Sequence, residues 1–276
     1  MTLDPEVAPA RVAAASGELA ALVATPPDDA RRRPGVLAVP GYTGSKEDFL
    51  HLLPLLARAG HPATAIDLRG QYESGGPEDE SAYTIAALAE DVASLLSAGE
   101  PLHVIGHSFG GLICRHAVLA GAPARSLTLL ASGPAALGGN RAAMIELMRP
   151  LLAEGGVPKV WEAAGGTNGT PDVPADVQDF LQRRFLASPA AALLGMGEAL
   201  LNAEDRVDEL RALGLPTFVL HGAGDDAWLP EQQRAMAERL DARYLELDGA
   251  LHSPAVETPQ ATADALLDFW QPLDSG

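Results

Sequence analysis

The sequence is short of cysteine. Its 276 residues hold one, Cys114, so no intrachain disulfide can form. It is short of positive charge too, with 19 Lys and Arg against 37 Asp and Glu and a formal net charge of −18. Nucleic acid and anionic membranes would repel such a chain and are not expected as partners. No stretch approaches the roughly 18 uninterrupted apolar residues that a membrane span needs, so no membrane insertion is expected. The first residues, Met1-Thr2-Leu3-Asp4-Pro5-Glu6, are acidic where a secretory signal would be basic and then apolar. A soluble, cytoplasmic chain is the expectation, in which the sequon Asn168-Gly169-Thr170 is incidental. No group of His, Cys and carboxylates has a metal-ligand spacing, so no metal is expected.

What the chain does have is apolar residues, 47% of the total. That suffices for a sizeable interior, and the length is near the upper size for one core. Residues 11–24 read as a hairpin around Ser16-Gly17. Short apolar runs at 35–39, 63–66, 102–105, 126–130, 217–221 and 244–247 read as strands. Between them the spacing predicts helices over 45–59, 84–98, 112–120, 231–240 and 258–270. Asp48, three residues after Ser45, suggests a capping box for the first of these. Strands alternating with helices in this way predict an α/β fold with a mainly parallel sheet. Residues 134–206 break the rhythm. Helical stretches near 140–153 and 176–202 flank the Gly/Pro-rich run from Gly155 to Pro174, with no strand in sight. The expected organisation is a core of 1–133 and 207–276 with a helical cap inserted at 134–206.

The most informative stretch is Ile105-Gly106-His107-Ser108-Phe109-Gly110-Gly111, between a strand and a helix. A Gly-x-Ser-x-Gly there makes a sharp turn with the serine at its tip. Cys114, inside the following helix, reads as a small buried apolar residue. A serine hydroxyl needs a base to accept its proton and an acid to hold the base. Six of the seven histidines read as packing or capping residues, and the side chain of His107 should point away from Ser108. His252 lies after the last predicted strand and before the last helix, where the base belongs. The preceding strand leads into Gly222-Ala223-Gly224-Asp225-Asp226. Asp225 is the preferred acid and Asp226 the alternative. The tetrahedral intermediate needs two oxyanion donors. The backbone N–H groups of Phe109 and Tyr42 are the candidates, and Gly41 and Gly44 let the Tyr42 loop approach the substrate.

These stretches, with Val39-Pro40-Gly41-Tyr42-Thr43-Gly44-Ser45, Asp67-Leu68-Arg69-Gly70 and Gly249-Ala250-Leu251-His252, resemble the α/β-hydrolase-fold serine hydrolases of the esterase, lipase and non-metal haloperoxidase-like kind. The resemblance spans most of the chain outside 134–206. It implies an α/β-hydrolase fold with an eight-stranded sheet flanked by helices, a site at the C-terminal edge of the strands, and acyl-enzyme chemistry without a cofactor. Asp67 and Arg69 match a structural loop of that family. The sequence departs from the family pattern at Pro40-Gly41, where His-Gly is frequent, at Leu251, where glycine is frequent, and in one extra residue between Asp225 and Pro230. A serine nucleophile excludes relatives that attack through an aspartate.

The cap should set the substrate, with Met144, Met148, Trp161, Leu193 and Met196 as candidate pocket residues. The cap arginines mark no carboxylate or phosphate clamp. The expected partner is a small-molecule ester with a small to medium apolar acyl group, thioesters included. The same triad also serves acyl transfer, perhydrolysis and C–C bond hydrolysis, and the fold can serve as a ligand receptor. The oligomeric state leaves no mark in the sequence.

Overall fold

Every central strand has apolar side chains on both faces, because helices cover both sides of the sheet. In β3 (Val36–Val39), Leu37 and Val39 enter one buried cluster, and Val36 and Ala38 enter another. The alternation repeats in β5 (Leu102–His107), β6 (Ala124–Leu130) and β7 (Thr217–Gly222). Val104, Leu129 and Val219 face the first cluster; Ile105, Leu130 and Leu220 face the second. A computed structural model of the chain describes residues 4–165 and 173–275. The sequon and part of the Gly155–Pro174 stretch lie outside them.

The remaining strands are β1 (Val7–Ala14), β2 (Gly17–Ala24), β4 (Ala63–Ile66) and β8 (Arg243–Leu247). The eight form one sheet in the order β1-β2-β4-β3-β5-β6-β7-β8. β1 pairs antiparallel with β2, and β2 with β4; every other pairing is parallel. This is the eight-stranded, mainly parallel α/β-hydrolase fold. The first cluster is completed by α2 (Ile85–Leu96), α3 (Phe109–Leu119) and α9 (Pro230–Leu240), and the second by α1 (Leu53–Arg58), the short α10 (Pro254–Glu257) and α11 (Pro259–Trp270). Cys114 is free and fully buried in α3, where burial pushes its thiol pKa up. Among the described residues, no helix is long and apolar enough to cross a membrane.

Two helices differ from the sequence expectation. The helix expected over 45–59 is a short 3-10 turn, Lys46–Phe49, followed by α1. The Lys46 N–H and ammonium both bind the buried Asp67 carboxylate, at 2.8 and 3.0 Å, which anchors the turn to the loop after β4. Pro54 has no N–H to continue a ladder back to Leu50, so a new helix starts around it. Of the expected capping box, the Asp48 carboxylate accepts from the Ser45 N–H at 3.2 Å.

The second difference lies between β6 and β7, where the described residues hold α4 (Gly139–Glu146), α5 (Met148–Ala163), α6 (Ala175–Leu186), α7 (Ala190–Leu201) and the short α8 (Val207–Ala212). Helix α5 continues past the expected stop at Gly155 by kinking through Gly155 and Gly156, the latter at φ +68°. Three arginines of α4–α6 clasp carboxylates of the surrounding core. Arg141 binds Asp226, Arg149 binds Glu80, and Arg184 binds Asp48 at 2.6 Å.

The chain turns back on itself between β3 and β5. Ligands bind at such a switch point, beyond the C-terminal ends of the strands. There β5 turns into α3 with almost no space. A Cβ on Gly106 would stand 2.6 Å from Gly111 Cα and 2.7 Å from the Gly110 carbonyl oxygen, both backbone atoms of the next helix. Gly106→Ala should therefore lower stability by roughly 3 kcal/mol, at the upper end for overpacking because backbone cannot yield as a side chain can. Urea unfolding measures this as a lower midpoint; an unchanged midpoint would show that the elbow can relax.

Candidate active site

Ser108 is held at φ +52°, ψ −120°, a region that costs a non-glycine residue about 1–3 kcal/mol. Neighbouring bonds impose it. The Ser108 N–H donates to Leu130 in β6, and the Ser108 carbonyl accepts from Gly111 at the start of α3, both at 2.9 Å. The strand below and the helix beyond fix the two ends of the turn, leaving the side chain at its tip.

His252 Nε2 lies 3.0 Å from Ser108 Oγ, and His252 Nδ1 lies 2.9 Å from Asp225 Oδ1. A carboxylate oxygen accepts, so Nδ1 carries the proton and Nε2 turns its lone pair to the serine hydroxyl. Asp225 is buried, and its acceptor sites are occupied. Oδ1 also accepts from the Ala227 N–H at 2.9 Å, and Oδ2 accepts from Gln233 Nε2 at 2.8 Å. Asp226, its alternative, turns outward to Arg141 at 2.6 Å, and that guanidinium lowers its pKa. The fold thus brings Asp225, and not Asp226, to His252.

The His252 loop is itself tied down. Glu257 accepts from the N–H groups of Leu251 and Ser253, at 2.6 and 3.2 Å. His107 Nε2 lies 2.8 Å from the His252 carbonyl oxygen, and the two rings are 5.1 Å apart. The His107 side chain therefore goes to the His252 backbone. Burial holds its pKa down to about 4, so the ring donates as a neutral Nε2–H. Leu251 is exposed, with its side chain over Gly224.

The loop after β3 lies directly on the serine. A Cβ on Gly41 would be 2.9 Å from Ser108 Cβ. The Gly41 carbonyl accepts from Gln71 Nε2 at 2.8 Å and from the Gly44 N–H at 3.1 Å. In a trans peptide the following N–H, that of Tyr42, points the opposite way. The Tyr42 hydroxyl donates to the Leu193 carbonyl in α7 at 2.7 Å, with Met148 Sδ 2.8 Å away. Phe109 N–H is the first amide of α3, one of the four that a helix leaves without an internal partner.

The candidate pocket residues part company. Met148 touches Tyr42 beside the serine. Met148 also packs against the apolar cluster of Trp161, Leu193, Val160 and Phe185, and Met196 belongs to the main core. Met144 is half exposed at the surface. Asp67 binds Lys46, and Arg69 binds Asp91 at 2.8 Å; both work as structural ties.

Sequence reasoning missed Gln71, Gln233 and the support from His107. Gln233 did leave a signal: it shares the apolar stripe of α9 with Met236, Ala237 and Leu240, and a fully buried amide needs partners. A second Ser–His–Asp chain exists, with His103 2.7 Å from Ser126 Oγ and 3.0 Å from Asp274. Ser126, however, is fully buried within β6, where no substrate can reach it.

A family model described as "Alpha/beta hydrolase family" matches residues 36–265. Epoxide hydrolase B of Mycobacterium tuberculosis is 35% identical over 92 residues, which is 33% of this chain and 25% of that protein. Protein ABHD8 of Bos taurus is 25% identical over 259 residues, 85% of this chain. The match spans 56% of ABHD8, so the chain covers about half of that relative's length. Among solved structures, a carboxylesterase from Nitrososphaera gargenis is similar with a TM-score of 0.76 at 20% identity, over 96% of this chain and 99% of that one.

Proposed function

Because the chain belongs to the alpha/beta hydrolase family, we propose that it is a serine hydrolase acting on carboxylic esters, thioesters included, with small to medium apolar acyl groups. The support is the relay from Ser108 through His252 to Asp225, at hydrogen-bond distances and with one consistent tautomer. His252 Nε2 takes the Ser108 proton as Oγ attacks the ester carbonyl. The carbonyl oxygen becomes an oxyanion, received by the N–H groups of Phe109 and Tyr42. Each such donor is worth ~2.7–4 kcal/mol in the transition state. As the intermediate collapses, the C–O bond to the alcohol breaks and His252 returns the proton to the departing oxygen. Water then gives its proton to His252 and attacks the acyl-enzyme. The carboxylic acid leaves, and the proton goes back to Ser108 Oγ.

Gln71 positions the Tyr42 donor by holding the Gly41 carbonyl on the other side of the same peptide. Gln233 and Ala227 hold Asp225, and Asp225 holds His252. A chain that opens epoxides through an aspartyl nucleophile would need that residue at 108, so the serine there favours ester chemistry over the reaction named for the Mycobacterium tuberculosis relative. Residues 134–206 act as the cap that limits acyl length, through Met148 and the α7 backbone against Tyr42. A panel of p-nitrophenyl esters of increasing acyl chain should show kcat/KM highest for short to medium chains and falling for long ones. Absence of turnover at every chain length would overturn the assignment.

A further inference from the structure

At the edge of the sheet opposite Ser108, three side chains from distant parts of the chain converge. His61 follows α1, His103 sits near the start of β5, and Asp274 follows α11. One ligand atom of each lies within 4.8 Å of the others. His103 Nε2 is 3.0 Å from Asp274 Oδ1, and His61 Nε2 is 3.5 Å from Asp274 Oδ2. All three side chains are almost fully buried.

The hydrogen bonds around them leave a conflict. His61 Nδ1 lies 2.8 Å from the Pro34 carbonyl oxygen. A carbonyl only accepts, so Nδ1 carries the proton, and in the neutral ring Nε2 holds a lone pair. That lone pair faces a carboxylate oxygen in a buried space. A cation between the three groups satisfies all of them.

We propose that His61, His103 and Asp274 form a binding site for one divalent transition-metal ion of the zinc class. Two neutral imidazoles and a carboxylate suit such an ion. Metal–nitrogen bonds of about 2.0–2.1 Å in a tetrahedron place ligand atoms roughly 3.3 Å apart; here the ligand atoms lie within 4.8 Å of one another, His103 against Oδ1 and His61 against Oδ2, so an ion would draw them inward. The outer bonds that orient metal-bound histidines are already in place. His61 Nδ1–H donates to Pro34, and His103 Nδ1 stands 2.7 Å from Ser126 Oγ. On binding, His103 carries its proton on Nδ1, donates to Ser126, and frees Nε2 for the ion. A cleft bordered by His61, Arg33, Asp268 and Gln271 lies beside the three residues. Two guanidiniums oppose the cation. Arg125 bonds the Leu273 carbonyl, and Arg33 lies 3.3 Å from Asp274 Oδ2. Arg33 is one-third exposed and can swing out, which makes it the direct competitor. Spacing along the sequence gave no hint of a metal, because His103 and Asp274 are 171 residues apart.

The test uses the full chain carrying His252→Ala, so that the catalytic imidazole cannot bind the ion, after stripping with a chelator. Zinc chloride is titrated by calorimetry and cobalt chloride by visible d–d absorption. One equivalent of each should bind per chain. Ser126→Ala should weaken binding about 10–100-fold, as loss of an orienting partner does, and His61→Gln by at least as much. Arg33→Gln, at the cleft, should tighten it several-fold without threatening the fold. Failure of the parent chain to take up one equivalent of zinc, unchanged affinity in His61→Gln, or affinity no higher in Arg33→Gln would each overturn the site. None of these outcomes bears on ester hydrolysis at Ser108.

Discussion

Ser108→Ala should lower kcat for the best p-nitrophenyl ester by roughly 10⁶-fold, the scale on which removing a triad nucleophile acts. At 1.36 kcal/mol per factor of ten, that is about 8 kcal/mol of transition-state stabilisation. The size follows from the absence of a substitute. His252 Nε2 has Ser108 Oγ as its hydroxyl partner at 3.0 Å, and without it attack falls to an unactivated water, helped only by the oxyanion donors and binding. The oxyanion donors and the cap contacts remain, so KM should change little. The fold should survive. Alanine is as strained as serine at φ +52°, and the bonds that impose the turn run through the backbone. Urea midpoints of the two proteins should agree closely. Three measurements check the claim: steady-state kinetics, fluorophosphonate labelling of the two proteins, and the double variant Ser108→Ala/His252→Ala. Because the residues act as a unit, the double variant should be no slower than the single ones. More than a tenth of the activity surviving in Ser108→Ala would place the nucleophile elsewhere.

The strands and the elbow were readable in the sequence because their causes are local. A strand covered on both faces is a short apolar run, and an elbow needs small residues on both sides of its tip. The helix expected over 45–59 failed because its competitor is remote: Asp67, in the loop after β4, binds Lys46 and pulls the turn inward. The kink of α5 at Gly156 is local, but a glycine there serves a stop and a kink equally well. The sequence favoured Asp225 as the acid but left Asp226 open. Adjacent carboxylates in a loop look alike until the packing of α9 turns one toward Gln233 and leaves the other to Arg141. Gln71 and His107 act through backbone carbonyls, and a carbonyl has no sequence signature.

That choice has a measurable consequence. Asp225→Asn should reduce kcat by about 10⁴-fold, as the corresponding change does in other serine triads, whereas Asp226→Asn should leave it within about three-fold. Three donors converge on the Asp225 carboxylate: His252 Nδ1–H and the Ala227 N–H on Oδ1, and Gln233 Nε2–H on Oδ2. Asparagine keeps the shape but offers one oxygen and one NH₂. With the NH₂ toward Gln233, two donors meet in a buried site, and each unsatisfied group costs about 1–3 kcal/mol. With the NH₂ toward His252, the ring must accept at Nδ1 and carry its proton on Nε2. That proton then points at Ser108 Oγ, and the base has nothing left to accept with. The second placement disables the relay by moving no more than a proton; the first keeps the His252 tautomer and costs stability at Gln233 instead. Asp226 loses only its exposed pair with Arg141, worth ~0–1 kcal/mol. Kinetics of the two single variants on one ester, at one pH, decide between them. A larger loss in Asp226→Asn would reverse the assignment of the acid.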